Sequence, residues 1–156
     1  IMIYLVRHAH AGNKKEWRGD DRIRPISERG LLETDAVVAR LNRPRKISAI
    51  FSSPLVRCVQ TITPLAELLD LEINKRNWLT VGTGARDVEH RLRELGGHVV
   101  VCTHGEVIGP LIERLADKGI PLDGTMQWPK GSIWHLKTKQ QRFVSGRFEQ
   151  PPISDP

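Results

Sequence analysis

His98-Val99-Val100-Val101-Cys102-Thr103-His104-Gly105-Glu106-Val107-Ile108 is the plainest strand-to-helix transition in the chain. The short apolar run His98 to Cys102, rich in β-branched valine, reads as a buried strand. Beyond Thr103-His104-Gly105, the residues Val107, Ile108, Leu111, Ile112 and Leu115 recur at helical spacing. The same alternation continues outward in both directions. Toward the N-terminus, Gly96-Gly97 closes a helix carrying Val88, Leu92 and Leu95. Before that come an irregular stretch around Gly82 and Gly84 and a short edge strand, Glu72 to Lys75. Ser53-Pro54 reads as a helix start, with a capping hydroxyl and proline at the first helical position, and Pro64 should kink or split that helix. Ile47 to Phe51 is a strand. Ser27 caps a helix ending near Pro44, with Leu31, Val37, Val38 and Leu41 on one face, and Ile1 to Val6 is another buried strand. Toward the C-terminus, Ser132 to Lys137 and Arg142 to Phe148 form a closing hairpin. Strands alternating with helices predict an α/β protein: a three-layer αβα sandwich around a mostly parallel sheet.

At 156 residues the chain is expected to form one domain over residues 1–149, followed by a loose tail, 150–156. Cys58 and Cys102 sit in apolar runs and read as reduced, buried thiols, so a cysteine-stapled secreted scaffold is not expected. Apolar stretches reach only about six residues against the roughly 20 needed to cross a bilayer, and no leader is recognised, so a cytoplasmic protein without a membrane partner is expected. Ile1 ahead of Met2 reads as a cloning scar or the edge of an excised domain. With 24 Lys and Arg against 18 Asp and Glu, the net charge of +6 favours anionic partners. The basic residues are scattered except for Lys14, Lys15, Arg18, Arg22 and Arg24, which read as a pocket rim rather than a nucleic-acid surface.

In a sheet of this kind, ligands bind where strands end and helices begin. Three such ends carry chemistry: Arg7-His8-Ala9-His10, Ser52-Ser53-Pro54-Leu55-Val56-Arg57 and Thr103-His104-Gly105-Glu106. Parallel winding brings them to one edge and gathers two arginines and at least two histidines, an oxyanion site. Phosphoryl transfer fits, because its transferring group carries charge on three oxygens and needs fixed cationic donors. His8 is the candidate nucleophile. Arg7, Arg57 and His104 would grip phosphate and, as a ring of cations, keep His8 unprotonated. Helix N-termini near Pro54 and at Gly105 and Glu106 add backbone donors. His10, Lys14, Lys15, Arg18, Asp21 and Arg24 are expected to contact substrate.

Leu5 to His10, Ser52 to Thr61 and Val101 to Ile108 resemble the three signature segments of the histidine phosphatase superfamily, which includes phosphoglycerate mutases. More narrowly, Leu5 to Gly12, Gly19 to Pro25, Arg57-Cys58-Val59-Gln60-Thr61, Cys102 to Ile108 and Lys130-Gly131-Ser132-Ile133-Trp134 resemble the short phosphohistidine phosphatases and the phosphatase half of two-domain Nudix proteins. The resemblance implies a phosphoglycerate mutase-like fold and a cofactor-independent phosphatase. His8 would carry a phosphohistidine, with Arg7, Arg57 and His104 as its binding residues. The substrate would be a small phosphorylated metabolite, a nucleotide or a phosphohistidine protein, and relatives would be fused to or associated with a Nudix domain. Ala9 stands where the motif usually has glycine. The glutamate that protonates the leaving oxygen in many members has no match between Leu79 and Glu89; Asp21, Asp87, Glu89 and Glu106 are the stand-ins. A mutase is not expected, because a chain this short lacks the insertions that would enclose a bound intermediate.

Two other classes compete. A metal-dependent hydrolase would use His8, His10, Cys102 and His104 as ligands, but Arg7 and Arg57 would repel a cation, so no metal is expected. A non-catalytic phospho-ligand module would keep the cations and lose the nucleophile, whereas His8 is present.

Overall fold

The computed structural model describes residues 1–42 and 46–151. In chain order the elements are β1 (Met2–Arg7), α1 (Glu28–Leu41), β2 (Ile47–Ser52), α2 (Val56–Leu69), β3 (Ile73–Lys75), α3 (Ala85–Arg93), β4 (His98–Thr103), α4 (Gly105–Asp117), β5 (Leu122–Asp123), β6 (Ile133–Lys139) and β7 (Arg142–Glu149). The strands form one sheet in the order β3-β2-β4-β1-β6-β7-β5. Pairings β3 with β2, β2 with β4, β4 with β1 and β5 with β7 are parallel, while those of β6 with β1 and with β7 are antiparallel. The expected mostly parallel αβα sandwich is therefore present.

Alternation along the central strands divides the core. Ile3, Leu5, Val99 and Val101 pack with Val88 and Leu92 of α3 and with Val107, Leu111 and Leu115 of α4. Val6, Val100 and Cys102 face the other way, onto Val37 and Leu41 of α1 and Cys58, Ile62 and Leu65 of α2. Burial on both faces is why the sequences of β1 and β4 are nearly continuous in apolar residues. The chain leaves β1 toward the α1/α2 layer and the adjacent β4 toward the α3/α4 layer. Their carboxyl ends thus border a crevice at the point where the winding reverses, the usual ligand position in such sheets.

Several local expectations are corrected. Leu31 is 56% exposed, and the inward stripe of α1 is instead Gly30, Glu33, Thr34, Val37 and Leu41. Gly30 is required there because a Cβ would run into the His10 carbonyl. Ser27 caps this helix as expected, its Oγ accepting from Gly30 N at 3.1 Å. Helix α2 begins at Val56, two residues after Pro54, with no side-chain cap, and it continues through Pro64. Buried Ile62, Leu65 and Ala66 hold that turn against the sheet, which offsets the hydrogen bond proline removes. The two-residue edge strand β5 lacked a sequence signal. The β6–β7 hairpin turns on Gln140 and Gln141, both in the left-handed region at φ 53° and 60°. Pro44 and residues 152–156 of the expected tail lie outside the described residues. No helix among the described residues is long and apolar enough to cross a membrane.

Candidate active site

Register places the three chemical segments side by side: Arg7 pairs with Thr103 across β1 and β4, and Ser52 pairs with Cys102 across β2 and β4. His8, the first residue beyond β1, is 4% exposed and donates its backbone N–H to the Thr103 carbonyl at 3.0 Å. Its Nδ1 lies 2.8 Å from the Ala9 carbonyl oxygen. A carbonyl only accepts, so Nδ1 carries the hydrogen and the neutral ring keeps its lone pair on Nε2. The next residue is pinned to α2. Thr61 Oγ1 accepts from Ala9 N at 2.9 Å and donates to the Arg57 carbonyl at 2.7 Å, so one hydroxyl sets the spacing between His8 and Arg57.

The His8 pKa is pushed down to about 3, chiefly by burial and less by His104, Arg57 and Arg7, against the Ala9 hydrogen bond that raises it. The ring of cations contributes as expected, but desolvation dominates. This carries a stability consequence. The unfolded chain takes up a proton on this histidine below about pH 6.5, whereas the folded chain resists until about 3. The contribution of His8 is therefore complete above pH 6.5 and is lost as pH falls, by roughly 3 kcal/mol at pH 4. Calorimetric unfolding of wild type and His8→Asn between pH 7 and 4 should show a distinctly shallower decline in the variant; parallel declines would refute the shift.

His104 is fully buried and caps α4 through its backbone, while its Nε2 shares a hydrogen bond with Ser53 Oγ at 2.9 Å. Ser53 is therefore an orienting residue for His104 rather than a helix cap. The His8 and His104 rings meet edge to face, with centroids 5.4 Å apart. Arg7 donates Nη1 to the Trp128 carbonyl at 2.8 Å, and its guanidinium lies flat over Gly105, where a Cβ would fall 2.8 Å from Arg7 Cζ. Arg57, 4% exposed, donates Nη1 to the Asp21 carbonyl and Nη2 to Asp21 Oδ2, at 2.9 and 3.1 Å. The Nε atoms of both arginines are buried without a hydrogen-bond partner. Buried guanidinium N–H groups are normally satisfied, so these two Nε–H groups near His8 are cationic donors able to bind an anion.

The other expected contacts divide. Arg24, nearly buried, binds Asp21 Oδ1 at 3.0 Å and the Ala11 carbonyl at 2.6 Å, bracing the 11–26 loop against Arg57. Lys14 acts on Asp21 only through its charge. Lys15 and Arg18 are exposed, and Arg22 pairs with exposed Asp20. The His10 ring turns to Ser27 Oγ at 2.7 Å, and its backbone N–H is held by Glu33 Oε1 at 2.7 Å. Glu33 carried no sequence signal beyond a carboxylate on α1, and Lys130 was marked only as the first residue of the Lys130-Gly131-Ser132-Ile133-Trp134 segment, with no role attached to it.

The four proposed acids also separate. Glu89 is bound by Lys118, Arg93 and Arg114. Lys118 ends α4, about 20 Å along the helix from its N-terminus at the site, so Glu89 is a structural ion-pair hub. Asp87 is exposed and pairs with Arg91. Asp21 faces the site, but the Arg24 hydrogen bond and the Arg57, Arg24 and Lys14 charges outweigh the effect of burial and hold it below the usual carboxylate range. It is a carboxylate, not a proton donor. Glu106, in the first turn of α4, acts on Arg7 through its charge. Among the described residues, no group of three or more His, Cys, Asp or Glu is placed to hold a metal ion. A separate cavity of about 950 Å³, lined by Tyr4, Arg40, His135, Arg147 and Glu149 among others, shares no residue with this cluster.

Residues 3–80 match the family model of the histidine phosphatase superfamily (branch 1). An 8-oxo-(d)GTP phosphatase of Mycolicibacterium smegmatis is 35% identical over 96% of this chain, and the chain spans about half, 48%, of that relative's length. The fold resembles that of the protein histidine phosphatase SixA complexed with tungstate, at a TM-score of 0.76 and 20% identity over 96% of this chain and 95% of that one. It also resembles YhfR of Bacillus stearothermophilus, at 0.70 and 18% identity over 91% and 93%.

Proposed function

The chain belongs to the histidine phosphatase superfamily (branch 1), and from that premise we propose that it is a phosphatase in which His8 receives the phosphoryl group and water removes it. The observation that carries the reading is the His8 ring: buried, neutral, with Nδ1–H spent on Ala9 O and Nε2 left as the lone pair. Nε2 attacks phosphorus, the P–N bond forms as the P–O bond to the leaving group breaks, and the leaving oxygen takes the electron pair. Arg7, Arg57 and His104 hold the three oxygens whose charge persists through the transfer. Water then attacks the phosphohistidine and regenerates the neutral ring. Rapid quenching with labelled substrate should trap acid-labile, base-stable phosphate on the protein. Label on any other residue, or none during active turnover, would sink the mechanism.

The substrate class we propose is a nucleotide or another compound whose leaving group departs as a stable species. Support comes from the carboxylates: Asp21 is ionised against Arg57, and Asp87 and Glu89 are engaged elsewhere. Of the four candidate acids only Glu106 is then left to protonate a leaving oxygen, and without a donor an alkoxide leaves slowly, whereas a phosphate or an imidazole needs little help. The 35% identical relative, an 8-oxo-(d)GTP phosphatase, is consistent with a nucleotide. The kcat/KM for a nucleoside diphosphate and a phosphohistidine peptide should each exceed that for a sugar monophosphate by roughly tenfold or more. A sugar monophosphate turning over fastest would mean that Glu106 or another acid reaches the leaving oxygen.

A further inference from the structure

Lys130 has no part in the chemistry described so far, yet it sits at the mouth of the site. The segment carrying it is strapped over the end of β1: Gly131 N donates to both the Arg7 and the His8 carbonyls at 3.2 Å, and Trp128 O takes Arg7 Nη1. Residue 130 is therefore one peptide away from a hydrogen bond to the nucleophile's own backbone. Within electrostatic reach of Lys130 are Arg24, braced on Asp21 and Ala11, and Arg29, in the first turn of α1 next to Gly30 and its contact with His10. Glu33 lies beneath, bonded to His10 N and so close to Gly131 that a Cβ there would fall 2.7 Å from Glu33 Oε2.

The charge balance at this spot is lopsided. Lys130 is half-buried, and burial together with the neighbouring Arg7, Arg24 and Arg29 pushes its pKa down, with only Glu33 opposing. It makes no hydrogen bond or ion pair among the described residues. A lysine crowded by three arginines, with the single carboxylate of Glu33 opposing them, sits in an excess of positive charge that an anionic ligand relieves.

We infer that Lys130, flanked by Arg24 and Arg29, binds a second phosphate, the one that stays on the substrate when His8 takes the terminal phosphoryl group. Arg7, Arg57 and His104 hold the transferring group, and Lys130 holds the phosphate bonded to it through the bridging oxygen. When that bridge breaks, the electron pair goes to the retained phosphate, and the Lys130 ammonium neutralises the charge that appears there. One cation thus selects substrates containing a phosphoanhydride and stabilises their leaving group without a carboxylic acid. The inference rests on the phosphatase reading and narrows it to nucleoside di- and triphosphates and pyrophosphate itself.

Binding can be read without turnover. In the His8→Ala protein, titration calorimetry should find inorganic pyrophosphate at least about tenfold tighter than inorganic phosphate, the scale of one charge-assisted contact. Adding Lys130→Ala should erase that preference and leave phosphate affinity within about twofold, while Lys130→Arg should keep it. In the otherwise wild-type enzyme, Lys130→Ala should lower kcat/KM for a nucleoside diphosphate by about tenfold and leave the monophosphate nearly unchanged. Equal affinities for the two anions, or equal losses for both, would overturn the inference. A pyrophosphate preference without phosphate ever appearing on His8 would keep the subsite and remove the reaction; label on His8 without the preference would do the reverse.

Discussion

Replacing His8 by alanine will abolish both the covalent phosphoprotein and turnover, with kcat/KM falling on the order of 10⁴-fold or more, the scale seen when a covalent nucleophile is removed. The size of the effect follows from geometry. Nε2 is the only lone pair on this ring, since Nδ1–H is committed to Ala9 O, and the rings of His8 and His104 are held edge to face. His104 has its Nε2 engaged by Ser53 and is a poor substitute. The variant should fold, because removing the imidazole leaves no unmet charge; the buried Ala9 carbonyl, freed of its partner, can take a water in the space the ring leaves. Near-UV circular dichroism and the melting temperature at pH 7 establish that. A folded His8→Ala protein retaining a tenth of wild-type activity would remove His8 from the nucleophile role.

Removing the Arg57 guanidinium or the His104 imidazole will lower kcat/KM by roughly 10² to 10³-fold each, the cost of one preorganised donor at a developing oxyanion. For Arg57 the loss should fall on KM as well as kcat. In the proposed mechanism its buried, unpartnered Nε meets an oxygen charged in the bound substrate and the transition state alike, whereas Asp21 already occupies its two terminal nitrogens in the free protein. Arg57→Lys should recover only part of the activity, because an ammonium cannot keep the fork on Asp21 and also present an N–H to phosphate. Asp21→Asn, which leaves the backbone carbonyl contact intact, should act mildly by comparison. Near-wild-type rates in both Arg57→Ala and His104→Ala would mean that the phosphoryl group binds elsewhere.

The elements that were readable in advance share one property: each is specified by residues close together in the chain. The strands β1 and β4 are short apolar runs, α1 begins at a capping serine, and α4 shows its inward face at every third and fourth residue. Leu31 on α1 misled because hydrophobicity alone could not reveal that the inner face is used to meet a backbone. Gly30 is pressed against the His10 carbonyl, and Glu33 turns in to hold the His10 N–H, so the leucine is left outside. Of the two outcomes expected at Pro64, a kink or a split, the split does not occur, since packing around the turn outweighs one missing hydrogen bond.

At the site, sequence by itself determined the residue types and their delivery to one sheet edge. Arg7, His8, Arg57 and His104 each directly end a strand or open a helix, and parallel winding leaves those positions no other place to go. What only the tertiary structure decided is how each group is spent. Asp21 became an ionised partner of Arg57 rather than an acid, Ser53 an orienting partner of His104 rather than a cap, Glu89 an ion-pair hub far from His8, and Lys130 a near neighbour of His8 from the far end of the chain. The physical reason is the range of the forces. Helical and strand periodicity is written by neighbours in sequence, whereas burial, proton affinity and charge pairing are set by groups that folding brings within a few ångströms from 29 to 121 residues away.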